Sequence, residues 1–245
     1  MNKLKSLFII LVVSAFLAAC TTKASNTEDV KEPLVSWNDV ASKEAIIAYV
    51  SEVTNQSSPN FIPIEDRVAT FDNDGTLWSE QPLYFQLFLI LDRVKALAGD
   101  HPEWQREEPF ASVLKGDIQG ALSQGDAALI KLATSIDTEI STEAFYDLVQ
   151  TWMQNATHPR FNKPFKELIF QPMLELIDYL KANDFTVFIV SGGGLDFMRP
   201  WAPETYGIPT HQIVGTRLKS RFVTENGRFD VIREAGIGFI DDKEG

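Results

Sequence analysis

Hydrophobic and polar positions in the first third of the chain predict one helix and one short strand. Apolar residues recur at helical spacing over residues 38–53, which predicts the helix. Residues 56–63 are rich in Ser, Pro and Asn and predict a loop. Residues 67–71 form a short β-prone run, expected to be a buried strand, that ends in the turn-forming sequence Asp72-Asn73-Asp74-Gly75-Thr76.

The middle of the chain, residues 82–184, has a mostly helical pattern. Ser141 or Thr142 is the expected N-cap of one of its helices, because a side-chain oxygen there accepts an otherwise unpaired N–H. Three apolar stripes at helical spacing are Leu83, Leu87, Leu91 and Val94; Phe145, Leu148, Val149 and Trp152; and Met173, Ile177 and Leu180.

The last third of the chain returns to strand patterns. Residues 186–190 are continuously apolar, as expected for a strand buried on both faces of a parallel sheet, and lead directly into Ser191-Gly192-Gly193-Gly194. Residues 212–215 predict a short strand, and residues 221–232 a hairpin that turns at Asn226-Gly227. Residues 239–242 predict the start of one more strand and its loop. Strands separated by helices indicate an α/β fold.

The N-terminus has the pattern of a processing signal. Residues 1–5 are basic, and the apolar run over residues 7–19 is shorter than the roughly 20 residues that span a bilayer. This order predicts a signal peptide over residues 1–19. Leu17-Ala18-Ala19-Cys20 resembles the bacterial lipobox, which implies lipidation of Cys20, a tether over residues 20–35 and anchoring in the cell envelope. An ordinary signal peptide with an incidental cysteine is the alternative.

Two further sequence features bear on the location of the chain and on its cysteine chemistry. Thr21 is not an Asp, which by analogy with lipoprotein sorting favours the outer membrane, facing the periplasm. The chain has one cysteine, so an intrachain disulfide and a Cys-rich metal site are both excluded. The membrane is therefore an expected partner through the lipid anchor.

Composition and charge narrow the function further. Hydrophobic residues make up 44% of the 245 residues, which is enough for a packed core. The formal net charge is −12, and removal of residues 1–19 would make it two units more negative because Lys3 and Lys5 are lost. This balance argues against nucleic acid as a partner. A small phosphorylated ligand remains compatible, since it needs only a local site.

Asp72 and Asp74 form the strongest candidate for chemistry. Side chains two positions apart in an extended segment face the same way. Ligands of parallel α/β sheets bind outside the carboxyl ends of the strands, which is where both residues are expected. A surface turn is the alternative interpretation of this Asp-x-Asp sequence.

Asp72, Asp74 and Thr76 match the Asp-x-Asp-x-Thr motif of the haloacid dehalogenase-like (HAD) hydrolase superfamily, which the chain resembles from about Ser36 onward. Ser191, at the end of an apolar strand and followed by Gly192 and Gly193, matches its second motif and resembles the phosphoserine phosphatase-like branch. The resemblance implies a Rossmann-like parallel sheet with an inserted helical cap. The expected core covers residues 36–80 and 170–245, and the expected cap covers residues 81–169.

The resemblance also implies the roles of these residues. Asp72 would be the nucleophile that forms an aspartyl-phosphate, and Asp74 the general acid and base. Mg²⁺ would be the cofactor, held by the side chain of Asp72 and the backbone carbonyl of Asp74. Ser191 and the N–H groups of Gly192 and Gly193 would bind the phosphoryl group. The expected function is hydrolysis of a small phosphomonoester.

Several alternatives stay open. The resemblance implies a later lysine, which is either Lys243 or a residue beyond Gly245, and a later acidic pair. Asp241 and Asp242 are either that pair or part of a solvated loop. Related proteins carry the metal-binding acids further along, which suggests a chain truncated at its C-terminus. Phosphoryl transfer to an alcohol uses the same residues as hydrolysis. A non-catalytic envelope lipoprotein that uses the fold as a binding module is the runner-up. Substrate identity and oligomeric state are not predicted.

Overall fold

The computed structural model describes residues 32–225 and 227–241, with the side chain of Glu225 excepted. Its strands are β1 (Val68–Phe71), β2 (Thr186–Gly194), β3 (Ile213–Glu225) and β4 (Arg228–Phe239). Its helices are α1 (Ala41–Thr54), α2 (Phe85–Leu97), α3 (Phe110–Leu114), α4 (Ile118–Leu122), α5 (Asp126–Ser135), α6 (Thr142–Asn155), α7 (Gln171–Ala182), α8 (Leu195–Met198) and α9 (Ala202–Tyr206).

The four strands form one sheet in the order β1-β2-β3-β4. β1 pairs with β2 in parallel, with Phe71 opposite Ile189, and β2 pairs with β3 in parallel, with Ile189 opposite Ile213. β4 is antiparallel to β3. The predicted α/β class with a mostly parallel sheet is confirmed. The register also brings the chain that leaves β1 beside the chain that leaves β2.

Three strand predictions need correction. β1 is not a buried strand, because it is the first strand of the sheet and the side chain of Val68 is 53% exposed. β2 does not end at residue 190 but continues to Gly194, with an irregular register between Ser191 and Gly194. No new strand begins at Phe239, because β4 runs through that residue.

The hairpin formed by β3 and β4 is confirmed but longer than predicted. It pairs residues from Arg217 opposite Phe239 to Glu225 opposite Arg228. Pairing along both strands supplies backbone partners that a local pattern does not reveal. Asn226, half of the predicted turn, lies outside the described residues, as do the predicted signal peptide and Cys20.

The predicted helices α1, α2, α6 and α7 are all present. The Ser141 side chain is the N-cap of α6 and accepts a hydrogen bond from the N–H of Ala144 at 3.0 Å. No helix among the described residues is both long and apolar enough to cross a membrane.

The hydrophobic residues form two clusters. The larger one joins β1, β2, α1, α6, α7 and the short helices α8 and α9. The smaller one joins the inner faces of α2–α5, with Val94, Val113 and Leu132 fully buried. Helix α6 packs in the larger cluster through Phe145, Val149 and Met153. The boundaries expected for core and cap stay predictions.

Candidate active site

The loop after β1 holds the first acidic motif in a tight turn. The backbone carbonyl of Asn73 accepts hydrogen bonds from the N–H groups of Thr76 at 3.2 Å and Leu77 at 2.8 Å. Gly75 has a φ of +72°, and a Cβ atom there would lie 2.7 Å from the Glu80 carboxyl carbon. The positive φ favours glycine at this position, and any larger residue would also have to displace the end of the Glu80 side chain.

Both carboxylates of the motif have defined partners in this loop. Asp72 Oδ1 accepts a hydrogen bond from the backbone N–H of Asn73 at 2.8 Å. Asp74 Oδ1 accepts one from the indole N–H of Trp78 at 2.8 Å. Asn73, which separates the two acids, is 1% exposed. The loop thus buries the residue between the acids while both carboxylates line one cavity.

The second motif continues from β2 into α8. Ser191 is 2% exposed, and its Oγ accepts a hydrogen bond from the N–H of Gly193 at 3.2 Å. The next N–H, that of Gly194, donates to Gln86 Oε1 at 2.7 Å. Both N–H groups therefore have a protein partner in this structure. A phosphoryl group that uses the Gly193 N–H must compete with the Ser191 hydroxyl for it.

The two motifs meet at Gly193. A Cβ atom on this residue would lie 3.3 Å from Asp74 Oδ2 and 3.3 Å from Ser191 Oγ. Asp72, Asp74, Ser191, Gly192 and Gly193, the residues expected to form the site, all line the same cavity of about 660 Å³. The structure therefore brings them together, while their chemical roles stay predictions.

The cavity is strongly acidic. Arg233 is the one positively charged residue among the described residues that line it. Its carboxylates come from Asp72, Asp74, Glu80, Asp126, Asp196 and Asp241. This arrangement would repel a phosphate dianion, and a bound cation would reduce that repulsion.

The donor set fits magnesium, the metal that the resemblance implies. Mg²⁺ prefers oxygen ligands and is commonly held by one or two carboxylates, with water and phosphate completing its shell. Asp72 and Asp74 offer such oxygens in one cavity. Within residues 32–225 and 227–241, no group of three or more His, Cys, Asp or Glu side chains is arranged to hold a metal.

Asp241 is a further candidate ligand whose role the sequence left open. Its N–H donates to Thr216 Oγ1 at 3.2 Å, and its carbonyl oxygen lies 3.5 Å from the Cβ position of Gly192. Its Oδ2 atom is buried and has no hydrogen-bond partner among the described residues. A cation would satisfy this oxygen. Asp242 and Lys243 lie outside the described residues.

Three residues near the site were not singled out from the sequence. Trp78 contacts Asp74, Gln86 binds the glycine segment, and Arg233 lines the cavity from β4. Trp78 lies four residues after Asp74, so sequence spacing could have suggested it. Gln86 and Arg233 carried no such signal, because their contacts join distant parts of the chain.

Arg233 is held from several sides. It is 5% exposed, its Nη1 donates to the Asp137 carbonyl at 2.7 Å, and its Nε donates to Asp196 Oδ2 at 3.4 Å. The guanidinium carbon lies 3.4 Å from the ring centre of Phe145. Burial lowers the pKa of Arg233, and the charge of Asp196 opposes that shift. An arginine keeps its proton under these conditions.

Tyr206 packs beneath the acidic loop. Its hydroxyl donates to Asn73 Oδ1 at 3.4 Å. Burial, and secondarily the charge of Asp74, raise the pKa of Tyr206 above its usual value. The tyrosine therefore stays protonated and remains a hydrogen-bond donor.

Comparison with models of protein families gives a match to one family. The model of the family described as haloacid dehalogenase-like hydrolase matches residues 69–236. This range includes Asp72, Asp74 and Ser191. The comparison with curated proteins gives no match.

Comparison with solved structures gives distant similarities, including the following three. The chain is similar to a phosphoserine phosphohydrolase-like protein from Francisella tularensis subsp. tularensis SCHU S4, with 20% identity, a TM-score of 0.34 and coverage of 69% of this chain and 64% of that one. It is also similar to a protein of unknown function from Bordetella pertussis Tohama I, with 16% identity, a TM-score of 0.41 and coverage of 66% of this chain and 66% of that one. A third similarity is to a conserved functionally unknown protein from Anaerococcus prevotii DSM 20548, with 13% identity, a TM-score of 0.35 and coverage of 79% of this chain and 60% of that one. The chain thus spans less than two thirds of each of these proteins.

Proposed function

Because the chain belongs to the haloacid dehalogenase-like hydrolase family, we propose that it hydrolyses small phosphomonoesters through an aspartyl-phosphate. One observation carries the proposal: the two acids that follow β1 and the serine near the end of β2 line a single cavity. The phosphoserine phosphatase-like branch of the superfamily is part of the same proposal, on the strength of the Ser191-Gly192-Gly193 sequence.

In the first step, a carboxylate oxygen of Asp72 attacks phosphorus, and the bond from phosphorus to the ester oxygen breaks. The departing alkoxide takes a proton from the carboxyl group of Asp74. The products of this step are the free alcohol and a phosphorylated Asp72. The Ser191 hydroxyl, which lines the same cavity as both aspartates, would donate a hydrogen bond to a phosphoryl oxygen.

In the second step, water attacks the phosphorus of the phosphorylated Asp72. The carboxylate of Asp74 accepts a proton from that water, and the bond between phosphorus and the Asp72 oxygen breaks. Inorganic phosphate leaves, and both aspartates return to their starting states. The same Asp74 therefore serves as acid in one step and as base in the next.

A bound Mg²⁺ would supply positive charge that offsets repulsion between the Asp72 carboxylate and the phosphate. The Asp72 side chain and the Asp74 backbone carbonyl would hold it, and Asp241 is a third candidate. We further propose that the chain is anchored in the envelope through lipidated Cys20. Replacement of Cys20 by Ser is then expected to release it from the membrane fraction.

Asp72→Asn is the test of the proposed function, since it removes the nucleophile with little change in volume. Mg²⁺-dependent release of phosphate from small phosphomonoesters should fall to background in this variant. Asp66→Asn, the same substitution on an exposed residue before β1, is the matched control and should keep full activity. Hydrolysis that survives Asp72→Asn would contradict the aspartyl-phosphate mechanism.

The same experiment separates the runner-up function. If the wild-type chain binds phosphate esters but does not hydrolyse them, and Asp72→Asn binds them equally well, a non-catalytic binding module is favoured. Transfer to another alcohol is recognised by a phosphorylated acceptor among the products, in place of inorganic phosphate.

A further inference from the structure

We propose that Trp78 is a positioning residue for the reaction: its indole N–H fixes the Asp74 carboxylate so that Oδ2 is the oxygen that exchanges protons with the substrate. The inference rests on the proposed function, because it gives Asp74 the acid–base role. All other support for the inference is geometric. The first observation is the 2.8 Å hydrogen bond that Trp78 Nε1 donates to Asp74 Oδ1.

The loop joins these two residues through the backbone as well. Asp74 and Trp78 form an isolated β-bridge, and the N–H of Gly75 donates to the Trp78 carbonyl at 3.0 Å. Trp78 forms a second bridge with Ile169 on its other side. The backbone of Trp78 is thus held at the same time by the acidic loop and by the segment that precedes α7.

The indole ring has no room to turn. Trp78 is 0% exposed, and its ring is stacked on that of Trp201 with centres 4.4 Å apart and planes at 23°. The Phe85 ring lies against it with centres 4.4 Å apart. A rotation of the indole would require displacement of these fully packed aromatic side chains. The position of the N–H is therefore set by the core rather than by the loop.

A donor held in this way orients the carboxylate. Hydrogen bonding to Oδ1 turns Oδ2 toward the second motif, where Oδ2 and Ser191 Oγ each lie 3.3 Å from the Cβ position of Gly193. Proton transfer requires that the acid lie within hydrogen-bond reach of the reacting oxygen. A carboxylate already held in one rotation needs no reordering before it reacts.

Trp201 provides a matched comparison for an experiment. Its indole belongs to the same stack and is 6% exposed, yet its Nε1 has no hydrogen-bond partner among the described residues. Trp78→Phe and Trp201→Phe both replace a buried indole with a phenyl ring. Only Trp78→Phe also removes a hydrogen bond to Asp74.

Leaving-group dependence is the decisive measurement. A nitrophenyl phosphate releases a stable phenolate that needs little protonation, whereas an alkyl phosphate releases an alkoxide that must receive a proton. We expect Trp78→Phe to lower kcat for the alkyl ester about 10-fold to 100-fold more than kcat for the aryl ester, since a positioned acid contributes roughly 10²-fold to 10⁴-fold. Trp201→Phe keeps an aromatic ring against Trp78 and removes no hydrogen bond to Asp74, so the difference it causes between the two esters should be much smaller.

Equal losses for the two esters in Trp78→Phe, or the same difference between them in Trp201→Phe, would overturn the proposal. A wild-type chain that hydrolyses neither ester would instead contradict the proposed function. A second readout is independent of turnover and of the folding of the tryptophan variants. The indole ¹H–¹⁵N resonance of Trp78 should shift in Asp74→Ala and stay in place in Asp72→Ala; an unmoved resonance in Asp74→Ala would refute the hydrogen bond on which the inference depends.

Discussion

Asp74 and Ser191 approach the same point in space from two different strands: each has a side-chain oxygen 3.3 Å from the place where a Cβ atom of Gly193 would lie. The contact distance explains why the second motif needs a residue without a side chain here. A Cβ atom added to Gly193 would lie close to both the Asp74 carboxylate and the Ser191 hydroxyl.

Gly193→Ala is therefore expected to lower kcat/KM for a phosphomonoester by about tenfold or more. Overpacking costs on the order of 1–3 kcal/mol, and about 1.4 kcal/mol corresponds to a tenfold change in rate. Gly192→Ala is the matched control, because among the described residues its new Cβ would meet only the Asp241 carbonyl, at an ordinary 3.5 Å. Equal losses in the two variants would show that crowding at Gly193 is not the cause.

Asp241→Asn tests whether the buried carboxylate of this residue takes part in metal binding. Its Oδ2 has no hydrogen-bond partner among the described residues, and it lines the cavity with Asp72 and Asp74. We expect the Mg²⁺ concentration for half-maximal activity to rise roughly tenfold, as is common when support of a metal is removed. An unchanged Mg²⁺ requirement would show that Asp241 does not help to bind the metal and has only a structural role in its loop.

Arg233→Met is expected to destabilise the fold by about 3 kcal/mol, because it leaves the Asp137 carbonyl and the Asp196 carboxylate without their buried partner. Urea unfolding measures this free energy. Arg221→Met is the control: Arg221 pairs with Glu139 at 2.7 Å, but its side chain is 45% exposed. The smaller loss expected there follows from the weakness of exposed ion pairs.

The stability of the fold should fall on mild acidification because of His158. This residue is fully buried, and its Nδ1 accepts the N–H of Arg160 at 3.2 Å. Burial lowers the pKa of His158; a hydrogen bond with the backbone of Gln81 opposes that shift, and the charge of Arg160 adds a smaller contribution in the same direction as burial. The unfolded chain therefore binds a proton at a pH where the folded chain does not.

Stability must then decrease as the pH falls through the unfolded value of about 6.5. The slope for this one group is at most about 1.4 kcal/mol per pH unit, and it ends at the lower folded pKa. Urea unfolding at pH 7.5 and pH 5.5 should show a larger loss for the wild-type chain than for His158→Gln. Parallel losses in the two proteins would assign the pH dependence to other groups.

Local patterns in the sequence were enough to predict the two motifs, the helices that carry strong apolar stripes and the α/β class. Asp72 and Asp74 could be recognised because a strand followed by an acidic turn is a feature of consecutive residues. Ser141 could be recognised as an N-cap for the same reason, since its partner is the N–H of Ala144.

Other features depended on contacts between distant segments, and only the tertiary structure decided them. The extents of β2, β3 and β4 follow from pairing with neighbouring strands, so the local pattern ended them too early. Gln86 reaches Gly194, and Arg233 reaches Asp137 and Phe145, only after the chain has folded.

The acidic loop shows most clearly which features the sequence determines and which ones the tertiary structure decides. Its sequence determined which carboxylates are available for the proposed attack on a phosphate ester and for its protonation, because that chemistry belongs to the side chains themselves. The direction of the Asp74 carboxylate depends on packing, because the indole that donates to it, that of Trp78, is packed against Trp201 and Phe85. Side-chain type is written in the sequence, whereas side-chain direction depends on what packs around it.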